Sequence, residues 1–330
     1  MRILSGIQPS GTLHLGNYFG AIQQHIELQE ETKRPESAFY FIANLHTLTT
    51  VRDGVRLRAL TRDVALDYLA LGLDPEKAAF FRQSDVPEVT ELAWILSTVT
   101  GMGLLERAHS YKDKLARGIP ATVGLFNYPV LMAADILIYR SNLVPVGQDQ
   151  IQHIEMTRDM AGYFNQTFKR VFPLPEARLE RAVVVPGTDG KKMSKSYGNT
   201  IDIFAEGAAL KNATMKIVTD STPVESPKDP EKDNVFALYA LLAAPAETEA
   251  LAARYRAGGL GYGEAKKLLI DQIDRRFAPA RAKRRELESQ PERVEAALQR
   301  GAERAGKVAR ETMRQVREAV GLRGTEGGRG

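Results

Sequence analysis

Two stretches of the chain carry residue types suited to handling phosphate. The first, SGIQPSGTLHLGN (Ser5 to Asn17), sets His14 among Gly6, Gly11 and Gly16; the second, DGKKMSKSYGN (Asp189 to Asn199), sets Lys192 and Lys195 in a loop flanked by Gly187, Gly190 and Gly198. Glycines let a ligand come close to the backbone. A helix starting near Gly16 and Asn17 would turn unpaired N–H groups and a positive dipole end toward an anion, and His14 can hydrogen-bond a phosphate oxygen whose charge grows during reaction. Two ammonium groups on a hinged loop can follow a departing pyrophosphate and bind it more tightly in the transition state than in the ground state, which is the difference that accelerates a step. Both stretches are expected around one triphosphate. Either alone reads as well as a solvated loop, and the dinucleotide fingerprint GxGxxG is absent, which argues against a nicotinamide enzyme.

The elements that must position these residues alternate in type. RILSG reads as a strand, GNYFGAIQQHIELQEE as a helix, SAFYFIANLH as a strand and RLRALTRDVALDYLALGL as a helix ended by Gly72, Asp74 and Pro75; AAFFRQS is a third strand and VTELAWILSTVT the next helix. This spacing predicts an α/β fold, a parallel sheet with helices on both faces, binding its ligand at the carboxyl ends of the strands. Residues from about 104 to 170 read as a helical insertion, and AVVVPG (182–187) as a returning strand just before the lysine loop. The expected organisation is a sheet domain over 1–203, a helical domain over 204–321 and a disordered tail over 322–330.

The string QPSGTLHLGN resembles the HIGH signature of class I aminoacyl-tRNA synthetases, in the variant of the tryptophanyl enzymes, with Asn17 where the second histidine would stand. KMSKS (Lys192 to Ser196) matches the second signature of that class letter for letter. The resemblance extends over nearly the whole chain and implies a Rossmann-like catalytic domain with a helical insertion and an all-helical tRNA anticodon-binding domain. It implies activation of L-tryptophan with ATP, with Mg2+ bound through the phosphates, and transfer to the 3′-terminal adenosine of tRNA(Trp) by a homodimer. By the same resemblance His14, Asn17, Lys114, Lys192 and Lys195 carry the chemistry. ATP is held by Gln8, Pro9, Ser10, Gly16, Gly147, Gln148, Asp149, Val185, Met193, Ser194 and Ser196. Tryptophan is held by Gly6, Gln8, His46, Tyr128, Met132, Asp135, Val144, Val146 and Gln150, with Asp135 accepting the indole N–H. The chain departs from the family at Leu4, where an aromatic is usual, at Asn44 to His46 (NLH for DQH), at Gln148 for Glu, and at AHSYK for MTQFK beside Lys114. A small-molecule nucleotidyltransferase, a silent RNA-binding paralogue and a tyrosyl enzyme are the competing readings.

Composition sets the remaining bounds. A chain of 330 residues, 43% hydrophobic and 26% charged, is ordinary for a globular protein and long enough for one large and one smaller domain. Without cysteine there is no disulfide, thiolate zinc site or thiol nucleophile; five scattered histidines offer no local metal pair, so no structural metal is expected. No leader is legible and the apolar windows are too short for a bilayer, which gives a cytoplasmic reading with no membrane partner. The net charge of +4 arises entirely beyond residue 203 and is densest at RRFAPARAKRR. There Arg275, Arg276, Arg281, Lys283, Arg284 and Arg285 are expected to grip tRNA phosphates, the alternative being a solvated helix face.

Overall fold

The structure, a computed structural model, describes residues 2–32, 37–108, 118, 120–179 and 183–322. Strands β1 (Ile3–Ile7), β2 (Ala38–Ile42), β3 (Ala79–Arg82), β4 (Leu143–Val146) and β5 (Glu176–Leu179) form one parallel sheet in the order β3-β2-β1-β4-β5. Helices α1 (Leu15–Asn17) and α2 (Gln23–Glu31), joined by a π turn over Tyr18–Ile22, follow β1; α3 (Asn44–Thr47) and α4 (Gly54–Leu71) follow β2. After β3 come α5 (Glu88–Ser97), α6 (Met102–Glu106) and α7 (Val123–Ile138), and after β4 comes α8 (Ile151–Thr167). The remainder is helical: α9 (Gly207–Met215), α10 (Asn234–Leu242), α11 (Pro245–Ala257), α12 (Tyr262–Glu288) and α13 (Pro291–Val320). Among the described residues no helix is long and apolar enough to cross a membrane.

Local sequence explains the elements. The run AFYFI is buried at every position, as an interior parallel strand covered on both faces requires. Its side chains alternate between two cores: Tyr40 and Ile42 pack with Val64, Tyr68 and Phe277, whereas Phe39 and Phe41 pack with Leu92, Ala133 and Ile154. Asp53 caps α4 by accepting from the N–H groups of Val55 and Arg56, and Gly72 ends it in the left-handed region at φ 112°. Helix α7 is apolar on nearly every side because it is buried between the layers.

Two expectations about the sheet are corrected. The segment expected to be a helical insertion contains β4, which pairs with both β1 and β5; four residues with a proline inside show no strand period to read. The β-branched run at Val183–Val185 is not a strand of the sheet. Its end instead meets the lysine loop, with the Met193 N–H donating to the Val185 carbonyl at 2.8 Å, while the edge strand is the exposed Glu176–Leu179. The expected tail over 322–330 lies, but for Leu322, outside the described residues.

The last helix is not confined to a separate helical layer. Helix α13 returns to the sheet, where Ala305, Ala309, Met313 and Val316 are buried with β2, β3 and α5. The approach is close enough that a Cβ at Gly301 would stand 1.9 Å from the Phe80 carbonyl oxygen. Gly301→Ala is therefore expected to destabilise the chain by about 1–3 kcal/mol or more in urea denaturation, whereas Gly263→Ala, with open space around it, should cost nothing. Equal stabilities would contradict the packing.

Candidate active site

The carboxyl ends of the parallel strands share one end of the sheet, and between β1 and β4 the strand order reverses, opening a crevice. The loop after β1 enters it. The N–H of Leu15 donates to the Ile201 carbonyl at 3.0 Å and the N–H of Ile203 to the Leu13 carbonyl at 3.2 Å, so His14 is strapped against the strip that follows the lysine loop. The Asn17 side chain accepts from the His14 N–H at 3.2 Å. Met193 lies against Gly16, its sulfur accepting the glycine N–H at 3.4 Å, and a Cβ on Gly16 would strike the His14 ring at 2.9 Å.

Lys195 closes this junction. Its Nζ donates to the carbonyls of Ser10 at 3.1 Å and Gly11 at 3.0 Å and lies 3.3 Å from Ser10 Oγ. Burial lowers its pKa, opposed by the charges of Asp67 and Asp202. Burial and the Lys195 ammonium together push His14 down to about 4, and its Nδ1 is buried without a hydrogen-bond partner. His14 is thus a neutral imidazole at physiological pH. The Ser194 N–H is fixed by the Asn199 side chain at 2.8 Å, Ser194 Oγ meets Ser196 Oγ at 2.8 Å, and Lys192 is exposed at the base of the loop. Val185 is buried behind it, Pro9 is buried and Gln8 exposed beside it; Gly147 and Gln148 open the turn that leads from β4 into α8.

Gln8, two residues before Ser10 in the same loop, lines a cavity of about 400 Å³. Gly6, Gln8, His46, Tyr128, Met132, Asp135, Val144, Val146 and Gln150, the residues assigned to tryptophan from the sequence, all line it. Leu4 lines it too, so the departure from an aromatic there enlarges or reshapes the wall. Gly6 carries no side chain because the Phe41 ring lies against it, 2.6 Å from where a Cβ would stand.

At the cavity floor Asp135 is 1% exposed. Burial raises its pKa, and hydrogen bonding and charge from His46, then Gln83, oppose the rise. His46 Nε2 contacts Oδ2 at 2.9 Å, and Gln83 Nε2 donates to both carboxylate oxygens at 2.8 and 2.9 Å. Gln83 Oε1 in turn accepts from the N–H groups of Leu45 and His46. These bonds fix the carboxylate plane, leaving an acceptor edge for a donor in the cavity. Tyr128 Oη meets His153 Nε2 at 3.0 Å, and Ser5 Oγ meets His25 Nε2 at 3.0 Å.

Gln83, His25 and His153 were not legible as site residues. Gln83 sits just past β3, and position after a strand of a parallel sheet was the one signal for it. The histidines lie on helices whose polar residues give no reason to single them out.

The basic run is not a free stripe of cations, because each of its six charged residues has a partner within the chain. Arg281 is 3% exposed and donates to the Ile203 carbonyl at 3.0 Å; Arg284 pairs with buried Asp67 at 2.6 Å, and Arg276 donates to Tyr18 Oη at 2.9 Å. Arg275, Lys283 and Arg285 are paired with Glu247, Glu286 and Glu206 in solvent-facing bridges. Apart from Glu286, on the same helix, these partners come from distant segments. Lys114 lies outside the described residues, as does the side chain of Asp149.

The depressed His14 value makes a prediction. Followed by NMR, the His14 ring should titrate near 4 in the free chain, against 6.5 for an ordinary histidine. It should rise when pyrophosphate is added, because an anion favours the cationic form. A free-chain value near 6.5 would contradict the burial of the ring.

Comparison with known proteins fits this geometry. The family model for tRNA synthetases class I (W and Y) matches residues 1–278. The tryptophan–tRNA ligase of Rhodopirellula baltica is 57% identical over 324 residues, covering 98% of this chain and 100% of the relative. The crystal structure of tryptophanyl-tRNA synthetase from Campylobacter jejuni in complex with ADP and tryptophan superposes with a TM-score of 0.93 at 50% identity, over 98% of this chain and 100% of that one. The enzyme from Mycoplasma pneumoniae gives 0.80 at 32%, over 98% of each chain. The chain belongs to the class I tRNA synthetases of the W and Y group, and within it to the tryptophan–tRNA ligases.

Proposed function

We propose that the chain activates L-tryptophan with ATP and transfers it to the 3′-terminal adenosine of tRNA(Trp), using the crevice between β1 and β4. The observation that carries this reading is one loop after β1 that at Gln8 lines a cavity floored by Asp135 and roomy enough for an indole, and at Ser10 and Gly11 receives Lys195. The tryptophan carboxylate attacks the α-phosphorus; a P–O bond to that carboxylate forms as the bond to the β-phosphate's bridging oxygen breaks, releasing pyrophosphate. The nucleophile is already an anion, so no general base is needed. The protein contributes alignment and charge stabilisation.

In this reading neutral His14 and Asn17 hydrogen-bond phosphate oxygens, and Lys195 exchanges the carbonyls of Ser10 and Gly11 for the pyrophosphate, with Lys192 and Lys114 assisting. Gln8, Pro9, Ser10, Gly16, Ser194 and Ser196 surround the phosphates, Val185 and Met193 the adenine, and Gly147 to Asp149 the ribose. Magnesium, held through the phosphates rather than by a set of carboxylates, would offset their charge. Asp135, held by His46 and Gln83, accepts the indole N–H, and Tyr128 and Gln150 hold the amino and carboxylate groups. Phenylalanine would leave that buried acceptor one donor short, a penalty that can reach about 10⁴ to 10⁵.

The helical segment 204–321 is assigned to the anticodon. Arg275, Lys283 and Arg285 are its available cations, since phosphates can replace exposed carboxylates in bridges worth about 0–1 kcal/mol. Tryptophan-driven exchange of labelled pyrophosphate into ATP tests the reading. Lys195→Ala should lower that exchange by about 10² to 10³ while leaving tryptophan affinity nearly unchanged; equal losses in both, or exchange driven by tyrosine, would overturn it.

A homodimer completes the proposal. Trp94, Met102 and Val123 are 73%, 62% and 83% exposed on α5, α6 and α7, and α7 packs against both of the other two. Covering these apolar groups against a second copy is the role the proposal gives them. Trp94→Glu is expected to shift the sedimenting species from dimer toward monomer, and a dimer indifferent to it would contradict this face.

A further inference from the structure

The arginines of α12 sit at two joints of the nucleotide site. Arg276 donates to Tyr18 Oη at 2.9 Å and its guanidinium lies 5.7 Å from the Tyr18 ring centroid. Tyr18 directly follows Asn17, and its ring meets Phe277 edge-on at 4.9 Å. Just past Pro279, buried Arg281 donates from Nε to the Ile203 carbonyl at 3.0 Å and also pairs with Asp274. Ile203 is the residue whose N–H holds the Leu13 carbonyl, one side of the strap around His14. Arg284 then anchors the same helix to Asp67 of α4 and lies 5.2 Å from the Phe204 ring centroid.

One helix therefore grips the exit of the His14 loop and the exit of the lysine loop. Those segments are joined to each other by two main-chain hydrogen bonds and by Lys195, a contact that the reaction must loosen if Lys195 is to follow pyrophosphate. Something outside the lysine loop has to keep His14 in place while Lys195 leaves. A guanidinium is suited to this, because its planar fork fixes direction as well as distance. Burying Arg281 is costly, and such a cost is best explained by a register that must be kept.

We propose that Arg276 and Arg281 are positioning residues for adenylate formation: Arg276 holds the His14 loop through Tyr18, and Arg281 holds the strip 201–203 through Ile203. The proposal rests on the reading of this crevice as the ATP site. It also gives the helical segment a mechanical route to the phosphates, since any ligand that moves α12 moves both joints together.

The test is pyrophosphate exchange by the full chain carrying Arg276→Met, Tyr18→Phe, or both. Each single variant should lower kcat/KM for ATP about tenfold while KM for tryptophan stays within about twofold, and the double variant should be no worse than the worse single one, as coupling through one contact requires. Arg276→Lys, which keeps a donor, should recover most of the loss. Multiplicative losses in the double variant, or ATP kinetics unchanged in the singles, would overturn the proposal. Wild-type protein lacking tryptophan-driven exchange would instead sink the functional reading itself. Arg281→Met, assayed once thermal denaturation finds it folded, should likewise lower kcat/KM for ATP with KM for tryptophan little changed; wild-type ATP kinetics in that folded variant would overturn the role given to Arg281.

Discussion

Lys195 reaches back across 185 positions of chain to three oxygens of Ser10 and Gly11, while two main-chain hydrogen bonds lock Leu13 and Leu15 to Ile201 and Ile203. Without that junction the two phosphate-handling stretches would be separate surface loops. With it, a cation is held beside a buried neutral imidazole, and the ammonium favours the uncharged ring. The carbonyls supply what a phosphate would supply, a set of oxygens around Nζ. On the proposed reading, a triphosphate would need only to compete with neutral acceptors for Lys195.

The cavity behind the junction is governed by a different balance. Burial alone drives the Asp135 carboxyl toward its neutral form, and three hydrogen bonds from His46 and Gln83 oppose that drive. Removing either partner would leave a buried acceptor short of donors, which costs about 1–3 kcal/mol or more. Gln83 is the hinge of this arrangement, since its carbonyl end fixes the turn bearing His46 while its amide end fixes the carboxylate. On the proposed reading, selectivity for an indole N–H would follow from the same geometry.

Much of this was legible in the sequence, and for physical reasons. Histidine among glycines and lysines between glycines advertise a phosphate; the buried run of β2 and the alternation of strand and helix give a parallel sheet and hence the end at which its ligand binds. What escaped depends on contacts between distant residues. Gln83 matters through its place opposite α7, not through its neighbours. Strand β4 is too short, with Pro145 inside it, to show a period. The basic run looked like a nucleic-acid surface because Asp67, Glu206, Glu247 and Tyr18, which engage Arg284, Arg285, Arg275 and Arg276, lie far away in the chain. Charge counted along a helix cannot tell a free cation from a strut.

The most direct measurement of the central claim is a crystal structure of the full chain with a non-hydrolysable ATP analogue and tryptophan. The account predicts a single nucleotide touched by the His14 loop on one side and by Lys195 on the other, with Nζ withdrawn from the carbonyls of Ser10 and Gly11 to the β- and γ-phosphates, and the indole N–H on Asp135. A nucleotide bound elsewhere, or bound in the crevice while Lys195 keeps its contacts with Ser10 and Gly11 and faces no phosphate, would contradict it.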